Sequence, residues 1–433
     1  MSQTAKNDTA NDKAWVELFE QYRILDEISN SGIFRISASQ INQVREARLM
    51  TKFDHKADLP KIFRNNQLSI LPDSRGTYVI GCFDAYHRIS TETLVQPLEF
   101  PFPYHIETID YANLYSEVSA LLCAYNTGII ENVVEEDVRL TVFGRMSTSK
   151  FHYQVRNLLN GNWYSINVDN SQCEIDGGFE GETKFAIIEA KNYTADDFLI
   201  RQLYYPYRLW RGKTSKEVIP IFMSYSNDIF TFYVYKFLDD SCYNSIELIA
   251  QKHYQIAPES ITLDDIYTVF QTTKIRPDLL TVPFPQADKF TRVIDLLGFL
   301  YATDLAQQEI TQTYQFAQRQ TQYYTNSAIY LDLIQKTGDK NTPSYSLTPL
   351  GRAILEKKPK GKYLAIVGQI LQHEVFYKAL AQYFSKSERP SRTEIIHIMQ
   401  SAKLNLGEGS TIPRRAQTVL AWIDWILGLL RVT

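Results

Sequence analysis

An apolar run in the middle of the chain ends in residues that could carry chemistry. In KFAIIEAKN, Glu189 and Lys191 follow Phe, Ala and two Ile, and they are two positions apart. If the run is a buried strand, both side chains point to the same face, because side chains alternate along a strand. Asp176 lies thirteen residues before Glu189, and we expect it to reach that face from the neighbouring strand, across a turn containing Gly177 and Gly178. Two carboxylates in one place supply the hard oxygen ligands that Mg²⁺ takes, so the stretch predicts a magnesium site beside a lysine.

The stretch CEIDGGFEGETKFAIIEAKN resembles the motif of the PD-(D/E)xK nuclease superfamily, which pairs an acid on one strand with acid-x-Lys on the next. Ile175 stands where the motif usually has Pro, a substitution that the superfamily tolerates. The resemblance implies that Asp176 and Glu189 bind Mg²⁺, which lowers the pKa of a water and polarises the scissile phosphate. It also implies that Lys191 orients the water or neutralises the charge that develops on the phosphate.

The same resemblance points to further polar groups around the metal. Superfamily members often add an acid from the helix before the sheet, and Glu117 in SEVSALL is the best match. Many members also carry a polar residue on the helix after the lysine, where this chain has Gln202. Glu174 and Glu180 are rival acids within the motif. Their parity or position does not suit the shared face, but Glu180 stays open as an alternative to Glu117 for a further carboxylate.

The order of the predicted elements indicates an α/β protein with a restriction-endonuclease-like core, in which a mixed central sheet is flanked by helices. We divide the chain into an N-terminal α+β domain and possible DNA-recognition element (residues 1–105), the PD-(D/E)xK nuclease domain (106–282), a winged helix-turn-helix (283–358) and a C-terminal helical module (359–433). The third region shows three helices and then a β-element, which is the order of a winged helix-turn-helix. Together with the late RRAQTV, it looks like the winged-helix modules fused to type II restriction endonucleases.

Local sequence patterns predict individual helices and strands. Apolar residues at helical spacing predict one helix over residues 14–28, and Ser39 is a candidate N-cap for a helix that runs through Arg45 and Arg48. The helix after the catalytic lysine is expected to be interrupted or to end near Pro206, because proline lacks the amide donor that a helix interior needs. Aromatic and β-branched residues predict strands at RLTVFGRM, SKFHYQV, WYSINVD, VIPIFMSYS and IFTFYVYKF, and two strands around a turn at LSILPDSRGTYVIGCF.

Charge is divided unevenly along the chain. The net charge is −4, but residues 286–433 hold 18 Lys+Arg against 12 Asp+Glu, or +6, which leaves −10 for the first 285 residues. A basic C-terminal third joined to an acidic body suits a DNA-binding module attached to a metal-binding enzyme. Arg, Gln and Asn pair with base edges, whereas Tyr and the basic residues suit phosphates. The predicted DNA contacts are Arg45, Arg48, Lys52 and Arg75, with His55 and Lys56, in the N-terminal region; Arg319, Gln320, Gln322, Tyr323, Tyr324 and Asn326 on the presumed recognition helix; and Arg414 and Arg415.

The composition argues against several classes of protein, namely zinc-binding, secreted and membrane-spanning proteins. The four cysteines form no CxxC pair, the N-terminus carries no apolar run, and no stretch of 18 apolar residues occurs. We therefore expect no zinc site, no secretory signal and no membrane span. With the resemblance, these features predict a cytoplasmic type II restriction enzyme of a prokaryote. It would be a homodimer that hydrolyses a specific sequence of double-stranded DNA with Mg²⁺, beside a cognate DNA methyltransferase acting on the same site. The alternatives are a repair or junction-resolving nuclease of the same superfamily, a winged-helix DNA-binding regulator with an inactive nuclease-like core, and a protein-binding protein in which the motif is accidental.

Overall fold

The structure is a computed structural model of the chain, and it describes residues 9–89, 96–257, 260–277, 281–314, 318–339, 342–402, 404, 406 and 411–430. For residues 312–314, 318, 319, 339 and 342 it describes the main chain alone. The chain forms a mixed α/β fold built on a seven-stranded mixed sheet. Within the described ranges, every helix is too short or too polar to cross a membrane.

The N-terminal region has an apolar core of its own. Its helices are α1 (Ala10–Gln21), α2 (Ile24–Ser31), α3 (Ala38–Ile41), α4 (Ala47–Thr51) and α5 (Lys61–Asn65), with a 3₁₀ turn at Lys56–Asp58. Its strands β1 (Ile33–Ser37), β2 (Ser69–Pro72) and β3 (Thr77–Gly81) pair antiparallel in the order β1-β3-β2. The aromatic rings of Trp15, Phe19 and Phe63 meet edge to face at its centre, a favourable geometry for buried aromatic side chains.

The middle of the chain supplies the large sheet. Its strands are β4 (Tyr86–Arg88), β5 (Leu98–Phe100), β6 (Arg139–Ser147), β7 (Phe151–Arg156), β8 (Trp163–Val168), β9 (Gln172–Glu180), β10 (Lys184–Lys191), β11 (Asp197–Leu199), β12 (Glu217–Ser226), β13 (Ile229–Phe237) and β14 (Ile246–Ile256). Its helices are α6 (Glu117–Asn126), α7 (Ile129–Val134), α8 (Arg201–Arg211) and α9 (Leu263–Thr272).

The large sheet has the order β5-β14-β13-β12-β10-β9-β6. The β10–β12 and β5–β14 pairs are parallel and the other pairs are antiparallel. Apolar residues of α6 and α7 cover one face, and those of α8 cover the other. β10 is therefore an inner strand with both faces buried, which explains its nearly continuous apolar sequence.

The C-terminal region is mainly helical. Its helices are α10 (Thr291–Ala302), α11 (Gln307–Tyr314), α12 (Gln318–Tyr330), α13 (Pro349–Leu355), α14 (Pro359–Leu371), α15 (Glu374–Lys386), α16 (Arg392–Gln400) and α17 (Ile412–Gly428). Its strands β15 (Leu305–Ala306), β16 (Ile334–Asp339) and β17 (Thr342–Leu347) form a small antiparallel sheet of order β15-β17-β16. The hydrophobic core on the α8 side of the large sheet continues into these helices.

The α/β class and the predicted strands are confirmed, but three local predictions about helices are wrong. Residues 14–28 do not form one helix, because Arg23 adopts a left-handed conformation between α1 and α2. Ser37, and not Ser39, caps the short helix α3, since its hydroxyl accepts from the Gln40 amide. α8 runs through Pro206 without ending, because the residues around Pro206 are buried and their packing outweighs the lost hydrogen bond.

Gly177 and Gly178 do not form the turn that the sequence predicts. Both lie within β9, and the hairpin to β10 turns over residues 181–183. A Cβ atom added to Gly177 would lie 2.7 Å from Cδ2 of Leu121 on α6 and 2.6 Å from the Phe179 ring. The missing side chain of Gly177 therefore lets α6 pack closely on β9.

Replacing Gly177 by Ala is expected to lower the free energy of unfolding by about 1–3 kcal/mol, because the added methyl overpacks a filled interior. Denaturant titration measures the loss. Gly76→Ala is the matched control, since a Cβ atom there meets nothing within 4 Å. Equal stability of the two variants would contradict the close packing of α6 on β9.

Candidate active site

The end of β10 carries a buried pair of opposite charges. Lys191 Nζ donates to Glu189 Oε1 at 2.6 Å and to the main-chain oxygen of Ala190 at 3.1 Å. Glu189 is 8% exposed and Lys191 is 7% exposed. Glu and Lys are rarely buried to this extent unless they are paired, so these residues do not form a solvated strand end.

Asp176 meets this pair from the neighbouring strand. The antiparallel ladder between β9 and β10 ends at the Gly177–Ile188 pair. The next amide of β10 that could pair belongs to Ala190, and it donates to Asp176 Oδ2 at 2.8 Å. A side-chain carboxylate thus takes the place of a main-chain acceptor where the two strands stop pairing. The register sets Asp176 opposite Glu189, and residues that are opposite each other share a face of the sheet.

Two helices contribute one polar side chain each. α6 begins at Glu117, and Glu117 Oε1 lies 3.7 Å from Lys191 Nζ. Near the start of α8, Gln202 Nε2 donates to Glu189 Oε1 at 2.5 Å. The Gln202 Oε1 atom is buried and has no hydrogen-bond partner among the described atoms. The structure therefore brings together all five residues that the sequence suggested for catalysis, Asp176 included.

The two rival acids lie outside this cluster. Glu180 is at the other end of the β9–β10 ladder, where its Oε1 accepts from Lys216 Nζ at 2.7 Å. The carboxylate of Glu174 is half exposed and pairs with Arg145 at 3.3 Å. Of the two acids left open by the sequence, Glu117 is the one that the structure places beside Lys191.

Burial controls the ionisation of the cluster. It raises the pKa of Glu189 to about 8 in spite of the attraction of Lys191, and Asp176 adds to the rise. Burial likewise raises the pKa of Asp176 and that of Glu117. Burial disfavours the charged form of Lys191, but Glu189 and Glu117 beside it hold its pKa well above the usual value. Crowded carboxylates that resist ionisation in a partly enclosed place are typical of functional sites.

The cation-free protein is expected to lose stability as the pH rises between the two pKa values of Glu189, 4.5 unfolded and about 8 folded. An acid with a raised folded-state pKa stabilises the fold fully below the unfolded pKa, and this contribution is lost as the pH rises through the folded pKa. Mg²⁺ should restore most stability at the alkaline end, because it binds ionised carboxylates. Thermal unfolding of wild type and Glu189→Gln at about pH 5 and about pH 8, with and without Mg²⁺, measures both effects. A Glu189→Gln variant that responds to pH and Mg²⁺ as wild type does would refute this assignment.

The donor set fits a magnesium ion held by two carboxylates. Asp176 and Glu189 offer hard oxygen ligands, and the buried Oε1 of Gln202 offers an acceptor for a water. In the part of the chain that is described, no group of three or more His, Cys, Asp or Glu side chains is arranged to hold a metal. Mg²⁺ keeps several waters and is commonly bound through one or two carboxylates and substrate phosphates, so two carboxylates suffice for this ion.

A segment of the N-terminal region lies against the site, which the sequence did not predict. The main-chain oxygen of Asp54 accepts from the Leu199 amide at 2.8 Å. His55, which is 1% exposed, lies between the Asp197 carboxylate at 3.0 Å and the Tyr193 hydroxyl at 3.1 Å. The prediction that His55 belongs to a DNA-contacting cluster is wrong, because its imidazole is buried. No local signal marks this segment, since its partners follow it by more than a hundred positions.

The charges of this segment influence the carboxylates of the candidate site. After burial, which dominates, Lys52 lowers the pKa of both Asp176 and Glu117. Asp54 acts in the opposite sense and raises the pKa of Glu117 and of Glu189. The side chain of Lys52 is 69% exposed, so it is a cation at the edge of the carboxylate cluster that solvent and solutes can reach.

The other suggested DNA contacts differ in accessibility. In the N-terminal region Arg48 and Arg75 are exposed, and Arg45 is half-buried. On α12, Gln320 and Gln322 are exposed, Tyr323 and Asn326 are half-buried, and Tyr324 is buried, while the side chain of Arg319 lies outside the described residues. Arg414 is exposed, but Arg415 is 1% exposed. Burial removes Tyr324 and Arg415 from the surface that DNA could touch.

Comparison with known proteins divides the chain into three stretches. Three family models match, each described as a domain of unknown function: residues 12–80 (DUF6996), 81–255 (DUF6997) and 292–431 (DUF7226). No curated protein and no solved structure matches the chain. The five clustered residues all fall in the second stretch, Lys52 and Asp54 fall in the first, and α10 and α12 fall largely or wholly in the third. The chain is thus similar to three uncharacterised families, and the candidate active site is built mainly by one of them.

Proposed function

We propose that the protein is a Mg²⁺-dependent endonuclease that hydrolyses phosphodiester bonds of duplex DNA. The observation that carries the proposal is the buried cluster in which Lys191 Nζ lies 2.6 Å from Glu189 and 3.7 Å from Glu117, with Asp176 fixed by the Ala190 amide. The acids and the lysine come from two neighbouring strands with one helix before them and one after, as the resemblance to the PD-(D/E)xK superfamily implies. Buried charges are costly to a fold even when they are paired, and a site for a metal ion and a phosphate gives these charges a use.

Each residue of the cluster has a role in hydrolysis. Asp176 and Glu189 would hold the ion, which when bound lowers the pKa of a water and polarises the scissile phosphate. Lys191 orients the attacking water and offsets the negative charge that develops on the phosphate. Gln202 fixes the Glu189 carboxylate, and Glu117 helps to keep Lys191 protonated.

The C-terminal region supplies the candidate for sequence recognition. α10, β15, α11, α12 and the β16–β17 hairpin follow one another in the order of a winged helix-turn-helix. In that arrangement the second helix of the helix-turn-helix, here α12, enters the major groove. The exposed amides of Gln320 and Gln322 on α12 suit this role, since Gln pairs bidentately with adenine.

For the biological role we propose restriction of foreign DNA in the cytoplasm of a prokaryote. The support is the combination of a nuclease-like cluster with a winged-helix-like region in one chain. Cutting both strands of a duplex often needs two active sites, so the proposal includes a homodimer. It also includes a DNA methyltransferase that protects the same sequence in the host.

Cleavage of mixed-sequence duplex DNA in the presence of Mg²⁺ tests the proposal. Purified protein should give discrete fragments with 5′-phosphate and 3′-hydroxyl ends, and EDTA should stop the reaction. A smear of products would retain the nuclease but remove sequence specificity, in favour of a repair or junction-resolving enzyme. Tight DNA binding without any cleavage would instead favour a DNA-binding regulator.

A further inference from the structure

The loop between β10 and β11 (residues 192–196) directly follows the catalytic lysine and is held at several points. Ser224 Oγ donates to the main-chain oxygen of Tyr193 at 2.6 Å. The Thr194 amide donates to Asp295 of α10 at 3.4 Å, and the same carboxylate accepts from Ser226 Oγ at 2.8 Å. The position of this loop therefore depends on both the sheet and the C-terminal region.

Arg292 of α10 makes the most direct link between this loop and the C-terminal region. Its Nη2 donates to Asp196 Oδ2 at 2.6 Å, and its guanidinium lies close enough to the Tyr324 hydroxyl of α12 to lower the pKa of that hydroxyl, against the larger effect of burial. The side chain of Arg292 is 10% exposed. A buried guanidinium is stable only with well-oriented partners, so movement of either partner disturbs the contact with the other.

We propose that Arg292 is a positioning residue that couples α12 to the β10–β11 loop, so that DNA seated on α12 fixes the strand end that carries Lys191. The inference rests on the proposed function, because it takes duplex DNA as the ligand of α12. Tyr324 is then a coupling residue and not a DNA contact, which agrees with its burial. The recognition helix and the catalytic lysine are joined through one guanidinium and one short loop.

Coupling between α12 and the β10–β11 loop would limit the cleavage of DNA sequences that α12 does not recognise. Because the loop is held in part through Arg292 beside α12, DNA that α12 accepts holds Lys191 in place more firmly than DNA that it does not accept. Coupling between two sites is commonly worth about five- to 150-fold in affinity or population. The guanidinium link is short enough for such coupling, because Asp196 is five positions after Lys191 in the chain.

Two variants of the full-length protein test the coupling. Arg292→Gln removes the bridge, and Tyr324→Phe removes a single hydroxyl from its far end. In the DNA-free protein, hydrogen exchange of the amides in residues 192–196 should become at least about fivefold faster in both variants. In cleavage assays kcat should fall about tenfold while DNA affinity changes less than about twofold, because the base-reading surface is intact.

Two control variants match these changes. Lys289→Gln removes the exposed ion pair to the same Asp196 carboxylate, at 3.3 Å, without touching α12. Tyr330→Phe removes another hydroxyl from α12, where the Tyr330 ring stacks on His373. Both controls should exchange and cleave as wild type does, within about twofold.

The outcomes separate this inference from the proposed function. If Tyr324→Phe exchanges and cleaves like its control, the coupling is refuted even though the nuclease stands. If wild type cuts no DNA, the proposed function falls, and the exchange rates of the Tyr324 and Arg292 variants still decide whether α12 controls the loop. Slower cleavage that is matched by weaker DNA binding would also overturn the inference, since it would assign Arg292 to binding.

Discussion

Changing Asp176 to Asn is expected to lower the rate of DNA cleavage by at least about a hundredfold, with DNA affinity changed by less than about threefold. Asparagine keeps an oxygen that can accept from the Ala190 amide, so the strand ends keep their arrangement. The change removes only the negative charge, and with it one of the two anionic ligands of the ion. Because the substrate still meets the same surface, the loss should appear in kcat.

Lys191→Ala should lower the rate of DNA cleavage to a similar extent, but for a different reason. The variant keeps both proposed metal ligands but lacks the cation that, in the proposed mechanism, offsets the charge of the transition state. Its fold requires a separate check by thermal unfolding, because Glu189 and Glu117 lose their buried partner. Stability should recover in part as the pH falls from about 8 towards 4.5, because Glu189 is then protonated in the folded protein but still ionised in the unfolded chain.

Glu174→Gln is the control for both variants. Glu174 lies two positions before Asp176 on β9, but its carboxylate faces solvent and pairs with Arg145. Cleavage by this variant should stay within about twofold of wild type. Rapid cutting by Asp176→Asn would contradict the assignment of the site. Equal losses in Asp176→Asn and Glu174→Gln would show that this part of β9 as a whole, and not the cluster, is required.

The three central residues of the candidate site could be predicted from the sequence because they lie on one strand and on the strand just before it. Glu189 and Lys191 share a face through strand alternation, and Asp176 is an acid on the strand that precedes theirs, opposite Glu189 in the register. Glu117 and Gln202 were found through the resemblance to the superfamily, whose members often carry an acid on the helix before the sheet and a polar residue on the helix after the lysine. The relations between the strand residues need only the order and the period of the strands, whereas Glu117 and Gln202 needed the pattern of the superfamily.

Features set by distant packing could not be predicted. Nothing near His55 in the chain indicates that it is buried between Tyr193 and Asp197, or that Asp54 comes close to the cluster. Pro206 would end an isolated helix, and only the buried surroundings of α8 keep the helix intact. Gly177 was taken for a turn residue because its sequence neighbours do not show that Leu121 of α6 packs on it. In each case the deciding partner is remote in sequence.

Arg414 and Arg415 show the same limit and allow a direct test. The sequence suggests that both hold phosphates. The two side chains leave α17 in different directions, so one is exposed and the other is buried. Arg415 is buried, and it donates to the main-chain oxygens of Pro285 at 3.3 Å and Leu406 at 2.9 Å. Burial lowers the pKa of Arg415 to about 10, and the charge of Arg414 adds to this effect. Arg415 thus ties α17 to two loops of the C-terminal region, whereas Arg414 faces solvent.

Arg415→Ala is therefore expected to lower the free energy of unfolding by about 3 kcal/mol, because two carbonyls lose a charged donor. Arg414→Ala should stay within about 0.5 kcal/mol of wild type, but it should weaken DNA binding and lower the slope of log affinity against log salt by about one if Arg414 holds a phosphate. Denaturant titration and DNA binding over a salt series measure the two effects on the same pair of variants. An Arg415→Ala protein that is stable but binds DNA poorly would reverse the assignment, because it would make the buried arginine the phosphate contact. Since the two residues are adjacent, such a reversal would mean that α17 is rotated about its axis, so the pair tests the packing of the C-terminal region as well as its role in binding.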